Sequence, residues 1–250
     1  RYNGSEFRWM GDFDSVRNVN CLFVDEEGRM WIGTNDNGLS ICINENIVNV
    51  VDESSGLPSN SVRCIARSSD GYYYVGTTDA MQVLELNGGL KLLNTIPGVY
   101  YAYSISADEE GHIATVTSDG KLSILYNREV LFSRELGEEQ EIYTCCAFGE
   151  DGTLYVGTSG GKIHMADISD GSFNQARTEL SCGKLININK LYFDGENLFV
   201  CADNGIGYFD THRTFNALNV KDFNNSVDSM TVDYQGNYWF ASSRLGVLKL

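Results

Sequence analysis

The residues with the greatest reactive potential in this sequence are its seven cysteines, Cys21, Cys42, Cys64, Cys145, Cys146, Cys182 and Cys201. A zinc centre or a redox pair needs cysteines, or cysteine with histidine, at short fixed spacing, and no C-x-x-C occurs. Cys21, Cys64 and Cys145 instead stand seven residues before Gly28, Gly71 and Gly152, while Ser104 and Ser229 hold the same place before Gly111 and Gly236. Small residues recurring at one place predict buried packing thiols rather than nucleophiles. Neighbours Cys145 and Cys146 point to opposite faces of a strand and are poor partners for each other. The odd count, without framework spacing, also argues against a disulfide scaffold.

Other catalytic chemistries are equally hard to assemble. His112, His164 and His212 fall at unrelated positions, match neither a triad nor a metal pattern, and are expected at the surface. The acids Asp25, Asp108, Asp194 and Asp233 precede one recurring turn, and Asp36, Asp79, Asp119 and Asp203 occupy a second. A calcium loop would alternate Asp or Asn ligands and close with Glu, which no copy does, so these acids are expected to accept turn hydrogen bonds. Asp79 and Asp119 are the one pair that neighbouring copies could offer as catalytic carboxylates. There is no G-x-S-x-G, P-loop or dinucleotide fingerprint, and Gly157 to Gly161 reads as a strand end and turn. The sequence therefore predicts no catalytic residue, no metal ligand and no cofactor.

Binding chemistry is more legible. Six short segments read Arg17-Asn18-Val19-Asn20, Asn60-Ser61-Val62-Arg63, Tyr100-Tyr101-Ala102-Tyr103, Ile142-Tyr143-Thr144, Asn187-Ile188-Asn189 and Ser226-Val227-Asp228. Aromatic faces stack on the apolar edges of sugars, and amides and guanidinium groups bond hydroxyls. Asn18, Asn20, Arg63, Tyr101, Tyr103, Tyr143, Asn187, Asn189 and Asp228 are thus the predicted site for a small polar ligand such as an oligosaccharide. The competing reading packs the tyrosines between elements and gives the asparagines to turns.

What must position these residues is a repeat. Leu22 to Thr34 returns as Ile65 to Thr77 and as Cys146 to Thr158, with weaker copies at Ile105 to Thr117, Leu191 to Ala202 and Met230 to Ser242. The residue before each Gly-Thr pair, or its equivalent, falls at Ile32, Val75, Thr115, Val156, Val200 and Phe240, in steps of 43, 40, 41, 44 and 40. A period near 42 is the length of a propeller blade. Short apolar or alternating runs, rich in β-branched and aromatic residues, predict strands at Val19 to Val24, Arg29 to Gly33, Leu39 to Ile43 and Asn46 to Val51 in the first copy. The loop Asp52 to Asn60 follows, and no amphipathic helix is found. The expected fold is an all-β propeller of six four-stranded antiparallel blades. Glu6 to Met10 reads as the outer strand of the blade that ends with Val247 to Leu250, which would close the ring.

The phrases Asp25-Glu-Glu-Gly-Arg-Met-Trp-Ile-Gly-Thr-Asn-Asp-Asn-Gly-Leu39, Ser55-Gly-Leu-Pro-Ser-Asn-Ser-Val62 and Asp233-Tyr-Gln-Gly-Asn-Tyr-Trp-Phe-Ala-Ser-Ser-Arg-Leu-Gly-Val247 resemble the two-component regulator propeller repeat. The third and fifth copies depart from it, with Thr115-Val116-Thr117 and Val200-Cys201-Ala202 in place of the Gly-Thr ending. The resemblance implies a sensor region lying outside the cytoplasmic membrane, ahead of a transmembrane segment and a kinase or cyclase, often responding to a polysaccharide fragment. Relatives of this kind generally carry more than six blades.

Composition narrows the partners. The chain has 250 residues, 42% of them hydrophobic, and a formal net charge of −16, so nucleic acid and anionic membrane surfaces would be repelled. No apolar run approaches the roughly 18 residues that span a bilayer. The start, Arg1-Tyr2-Asn3-Gly4, is neither an initiator Met nor a signal peptide, and residues 1–250 are expected to be one propeller domain from a longer protein. The function predicted is non-enzymatic: an extracytoplasmic sensory propeller that binds a small polar ligand and works with neighbouring domains of the same signalling protein, with a second copy in a homodimer as a further candidate partner. The alternatives are an interaction or dimerisation module and a propeller-fold lyase or hydrolase.

Overall fold

In a computed structural model of the chain, residues 5–6, 16–136, 141–168, 174–220 and 225–250 are described. The first blade is an antiparallel meander of β1 (Val19–Val24), β2 (Met30–Thr34), β3 (Leu39–Ile43) and β4 (Asn46–Val51), paired in that order. The second consists of β5 (Val62–Arg67), β6 (Tyr73–Thr77), β7 (Met81–Leu86) and β8 (Leu90–Ile96). The third comprises β9 (Ala102–Ala107) to β12 (Glu129–Arg134) through β10 (Ile113–Thr117) and β11 (Leu122–Tyr126). The fourth runs from β13 (Tyr143–Phe148) through β14 (Leu154–Thr158) and β15 (Lys162–Asp167) to β16 (Asn174–Ser181). The fifth has β17 (Ile188–Asp194), β18 (Asn197–Ala202), β19 (Gly205–Phe209) and β20 (Phe215–Leu218). The sixth has three described strands, β21 (Ser229–Val232), β22 (Tyr238–Ser242) and β23 (Gly246–Lys249).

This is an all-β six-bladed propeller, as the period required. A single 3-10 turn at Glu53–Ser55 is the helical structure among the described residues. The strand expected at Glu6 to Met10 falls, from residue 7 onward, outside the described residues, and the expected closure of the ring rests on that strand. The chain forms two compact units, residues 1–102 and 103–250.

Within the first unit, the turn between β1 and β2 shows why the repeated phrase reads as it does. Gly28 takes a φ of +76° and donates its N–H to the Asp25 carbonyl, which an L side chain would resist. The Asp25 carboxylate accepts the Arg29 N–H at 2.8 Å, the Arg29 Nε at 2.6 Å and the Trp31 indole N–H at 2.9 Å. Trp31 is fully buried and stacks on Tyr73 with ring centroids 4.0 Å apart. Asp, Gly and Trp thus form one device that closes the hairpin and anchors it to the core. The second unit repeats it in the sixth blade, where Asp233 accepts the Asn237 N–H and the Trp239 indole N–H, both at 2.9 Å.

Blades meet through the second strand. A Cβ on Gly33 would lie 2.5 Å from both the Cys21 sulfur and Val62 Cγ1, and one on Gly157 would lie 2.7 Å from the Cys145 sulfur and 2.9 Å from Ile188 Cγ2. The glycine of the Gly-Thr pair is therefore required by the close approach of the next blade's first strand, not by its own backbone angles.

Candidate functional site

The first strands of four blades share a defect that the sequence does not announce. Val19 pairs with Thr34 and Cys21 with Gly33, which leaves Asn20 without an opposite residue. The same slip leaves out Arg63 in β5, Thr144 in β13 and Asn189 in β17. A β-bulge bends the strand and re-aims the unpaired side chain, and bulges concentrate beside binding sites. On three of these strands the residue one step earlier, Val62, Tyr143 or Ile188, is fully buried. Three of these strands thus offer an apolar anchor followed by a side chain free of the ladder, while in the first blade Val19 is exposed.

In the first unit, Asn18 has a φ of +52° and donates its amide to the Asp36 carboxylate at 2.9 Å. Asn20 reaches across to the second blade and donates to the Val62 carbonyl at 3.0 Å. Arg63 is half-buried and close enough to Cys21 to favour its thiolate, although burial dominates and pushes that thiol up to about 12. Tyr101 is exposed with a φ of +49°, and its N–H is held by the Thr78 carbonyl at 3.1 Å. A bulky residue in the left-handed region is costly, whereas asparagine tolerates it, so Tyr101 is strained where Asn18 is not.

In the second unit, Asn187 has a φ of +50°, like Asn18. Its amide and that of Asn189 both donate to Asp203, each at 2.9 Å, and Asn189 also donates to the Val227 carbonyl at 3.1 Å. Ser226 bridges Asp203 and Asp228, and Asp228 also accepts the Ser243 N–H at 2.6 Å. The structure therefore brings Asn187, Asn189 and Asp228 together through two acids, and it uses much of their hydrogen-bonding capacity internally. Tyr103 is exposed, and burial of its hydroxyl end, then the neighbouring Cys145, Cys146 and Asp119, push its phenol up to about 12.

Tyr143 is a correction. It is fully buried, packs with Leu154, Val156 and Ala166, and meets His164 edge-on, so it faces the core and not the surface. Thr144 holds the bulge position in its place.

The histidine expectation is also corrected: His112 and His164 are buried and only His212 is exposed. His112 occupies the turn slot of Arg29, with Nδ1 2.7 Å from Asp108 Oδ2 and its ring 4.8 Å from that of Tyr126. Asp108, Glu110 and His112 hold ligand-type atoms within 4.8 Å of one another, but Asp108 already accepts the backbone N–H groups of Glu110 and His112. All seven cysteines are free, and six are buried, with Cys21 half-buried. Burial raises the thiols of Cys182 and Cys201 to about 12. No cysteine here is poised for nucleophilic chemistry.

Sequence reasoning missed Lys190. It stands at the place of Cys21, Cys64 and Cys145, paired opposite Cys201 where those residues face Gly33, Gly76 and Gly157. Aligning the fifth copy from its Val200-Cys201-Ala202 end, rather than from a turn that is one residue short, would have exposed it.

Bladed sheets with recurrent inner-strand bulges define a repeat propeller. The two-component regulator propeller repeat matches residues 14–36 and 56–79, so the chain carries that repeat in its first and second blades. No curated protein matches the chain. Among solved structures it is similar to the extracellular domain assigned to a hybrid two component system of B. thetaiotaomicron, with 19% identity and a TM-score of 0.74, covering 94% of this chain and 34% of that one. A second such domain from the same organism gives 18% identity, a TM-score of 0.68, and 94% and 32% coverage. Virginiamycin B lyase from Staphylococcus aureus gives 16% identity, a TM-score of 0.72, and 95% and 85% coverage. These likenesses establish the fold, and the chain spans about a third of the two-component chains. Among the described residues no helix is long and apolar enough to cross a membrane.

Proposed function

We propose that the chain is a non-enzymatic sensory propeller from the extracytoplasmic region of a two-component signalling protein, binding a small polar ligand and passing occupancy to a neighbouring domain. The match of the regulator propeller repeat carries this reading, and likeness to extracellular domains of two-component systems supports it. The candidate ligand contacts are the loops and bulges that enter the first strands, taken within each unit by itself: Asn18, Asn20, Arg63 and Tyr101 form one candidate set, and Tyr103, Asn187, Asn189 and Asp228 another. Tyr101 argues for binding over packing, because an exposed tyrosine held at positive φ is retained against its own backbone preference. The lyase likeness carries no catalytic assignment here: of the acid–histidine pairs among the described residues, Asp108–His112 closes a turn and His164–Glu179 lies across the paired strands β15 and β16.

Thermal unfolding in the presence of oligosaccharides and short peptides tests this. A ligand at a hundred times its dissociation constant stabilises the fold by about 2.7 kcal/mol. The rise in Tm should vanish when Tyr101 and Tyr103 are both replaced by Ala. A library that never moves the wild-type Tm would favour an interaction module, and an unchanged shift in the double variant would place the ligand elsewhere.

A further inference from the structure

Five copies of the repeat place a small residue seven positions before the turn glycine, on the first strand: Cys21, Cys64, Ser104, Cys145 and Ser229. The fifth copy has Lys190, and it faces Cys201 rather than glycine. The thiol has in effect moved to the second strand, in place of the glycine. Cys201 is fully buried and keeps the sulfur in the packing, while the place released on β17 carries a cation. Two linked changes that preserve the core and introduce a charge are more than a solvated surface lysine requires.

Lys190 is half-buried, and its ammonium makes no hydrogen bond or ion pair among the described residues. It lies near Cys145, Cys146 and Cys201 and favours their thiolates, but burial outweighs it and keeps all three protonated, so they are not its counter-charge. The acids of this unit's polar group are engaged by neutral donors: Asp203 by Asn187, Asn189 and Ser226, and Asp228 by Ser226 and the Ser243 N–H. A partly desolvated cation without a partner is a place for an incoming anion.

We propose that Lys190, next to the bulge residue Asn189, is the recognition point for a carboxylate on the small polar ligand. The proposal rests on the reading that the first strands bind such a ligand, and it names the ligand's charge. One ammonium matches a single monoanionic group. A dianionic phosphate would favour a guanidinium fork or several cations, and the net negative charge opposes it further. The carboxylate can belong to a sugar acid or to a peptide.

Reductive methylation with 13C-formaldehyde gives each lysine a dimethylammonium NMR signal, and that of Lys190 is the one missing in Lys190→Arg. The methylated protein is titrated separately with sodium D-galacturonate, N-acetyl-L-glutamate, D-galactose and sodium chloride. The Lys190 signal should shift saturably with at least one carboxylate and stay still with galactose and with chloride at equal ionic strength. A response to galacturonate alone identifies a sugar acid, and one to N-acetylglutamate alone a peptide. A signal unmoved by both carboxylates, or moved equally by chloride, overturns the proposal. Lys190→Met should weaken binding of the effective carboxylate at least tenfold, as loss of a charge-assisted bond implies. If a neutral oligosaccharide raises the Tm of Lys190→Met as it does that of the wild type, and the Lys190 signal ignores both carboxylates, the carboxylate assignment fails while the sensory reading stands.

Discussion

The phenol of Tyr73 donates to the carboxylate of Asp25 at 3.0 Å, joining the second blade to the hairpin turn of the first. The second unit repeats the arrangement, with Tyr238 donating to Asp194 at 2.6 Å. The turn acid that closes one blade is thereby also a latch for the next. Burial opposes ionisation of Asp25, but hydrogen bonds from Trp31, Arg29 and Tyr73 outweigh it and hold its carboxyl below the usual carboxylate range. Burial and the bond to Asp25 push the Tyr73 phenol up to about 12.

Asp25→Asn should lower unfolding free energy at pH 7 by on the order of 2–3 kcal/mol, because it weakens bonds from three buried or half-buried donors. With its folded value depressed, Asp25 contributes stability that is present above the unfolded carboxyl value of about 3.9 and is lost as pH falls through the folded value. Urea unfolding at pH 7 and pH 3 should therefore show the wild type and the variant converging in acid. Curves that stay parallel would assign the cost to packing alone.

Gly33→Ala should destabilise the first unit by about 1–3 kcal/mol through overpacking against Cys21 and Val62. Val62→Ala in the same chain removes one of the two obstructions, so the double variant should lose less than the two single costs combined. Thermal denaturation of the four proteins reads this, and strict additivity would mean that the glycine is not sterically required.

Alkylation should proceed in an order set by burial. Cys21, the one half-buried thiol, should react first with iodoacetamide at pH 8, and Cys145, Cys182 and Cys201 only on unfolding. Peptide mass mapping over time checks the order, and early modification of Cys145 would contradict it.

Tyr101→Asn should raise Tm, since asparagine occupies the left-handed region with less strain and the bond from its N–H to Thr78 is retained. The same change should weaken the response to ligand. A variant that is more stable and still responds fully would release Tyr101 from the site.

Much of the architecture was legible because the repeat is strict where the fold needs it. The strands at Leu39–Ile43 and Asn46–Val51 fall where alternation and turn residues place them. The turn role of Asp25 and Asp233 follows from spacing to Gly and Trp alone. The site was less legible for one physical reason. A bulge inserts a residue without any mark in composition, and alternation slips by one at that point. Tyr143 shares its residue type with Tyr101 and Tyr103, yet it sits at the place of Val62, one step before the bulge, and so enters the core. His112 was misplaced because a buried turn acid can hold an imidazole as readily as the guanidinium of Arg29. Lys190 was hidden by a copy one residue short.

The unpaired residue of these four inner strands has a consequence for how such a domain changes over generations. Because Asn20, Arg63, Thr144 and Asn189 have no opposite residue in the ladder, an amide, a guanidinium and a hydroxyl are accommodated by the same backbone. Chemistry at these places can drift by single substitutions while pairing on either side is conserved. A lineage could exchange one signal molecule for another without passing through a misfolded ancestor, so preference should diverge among relatives faster than thermal stability does.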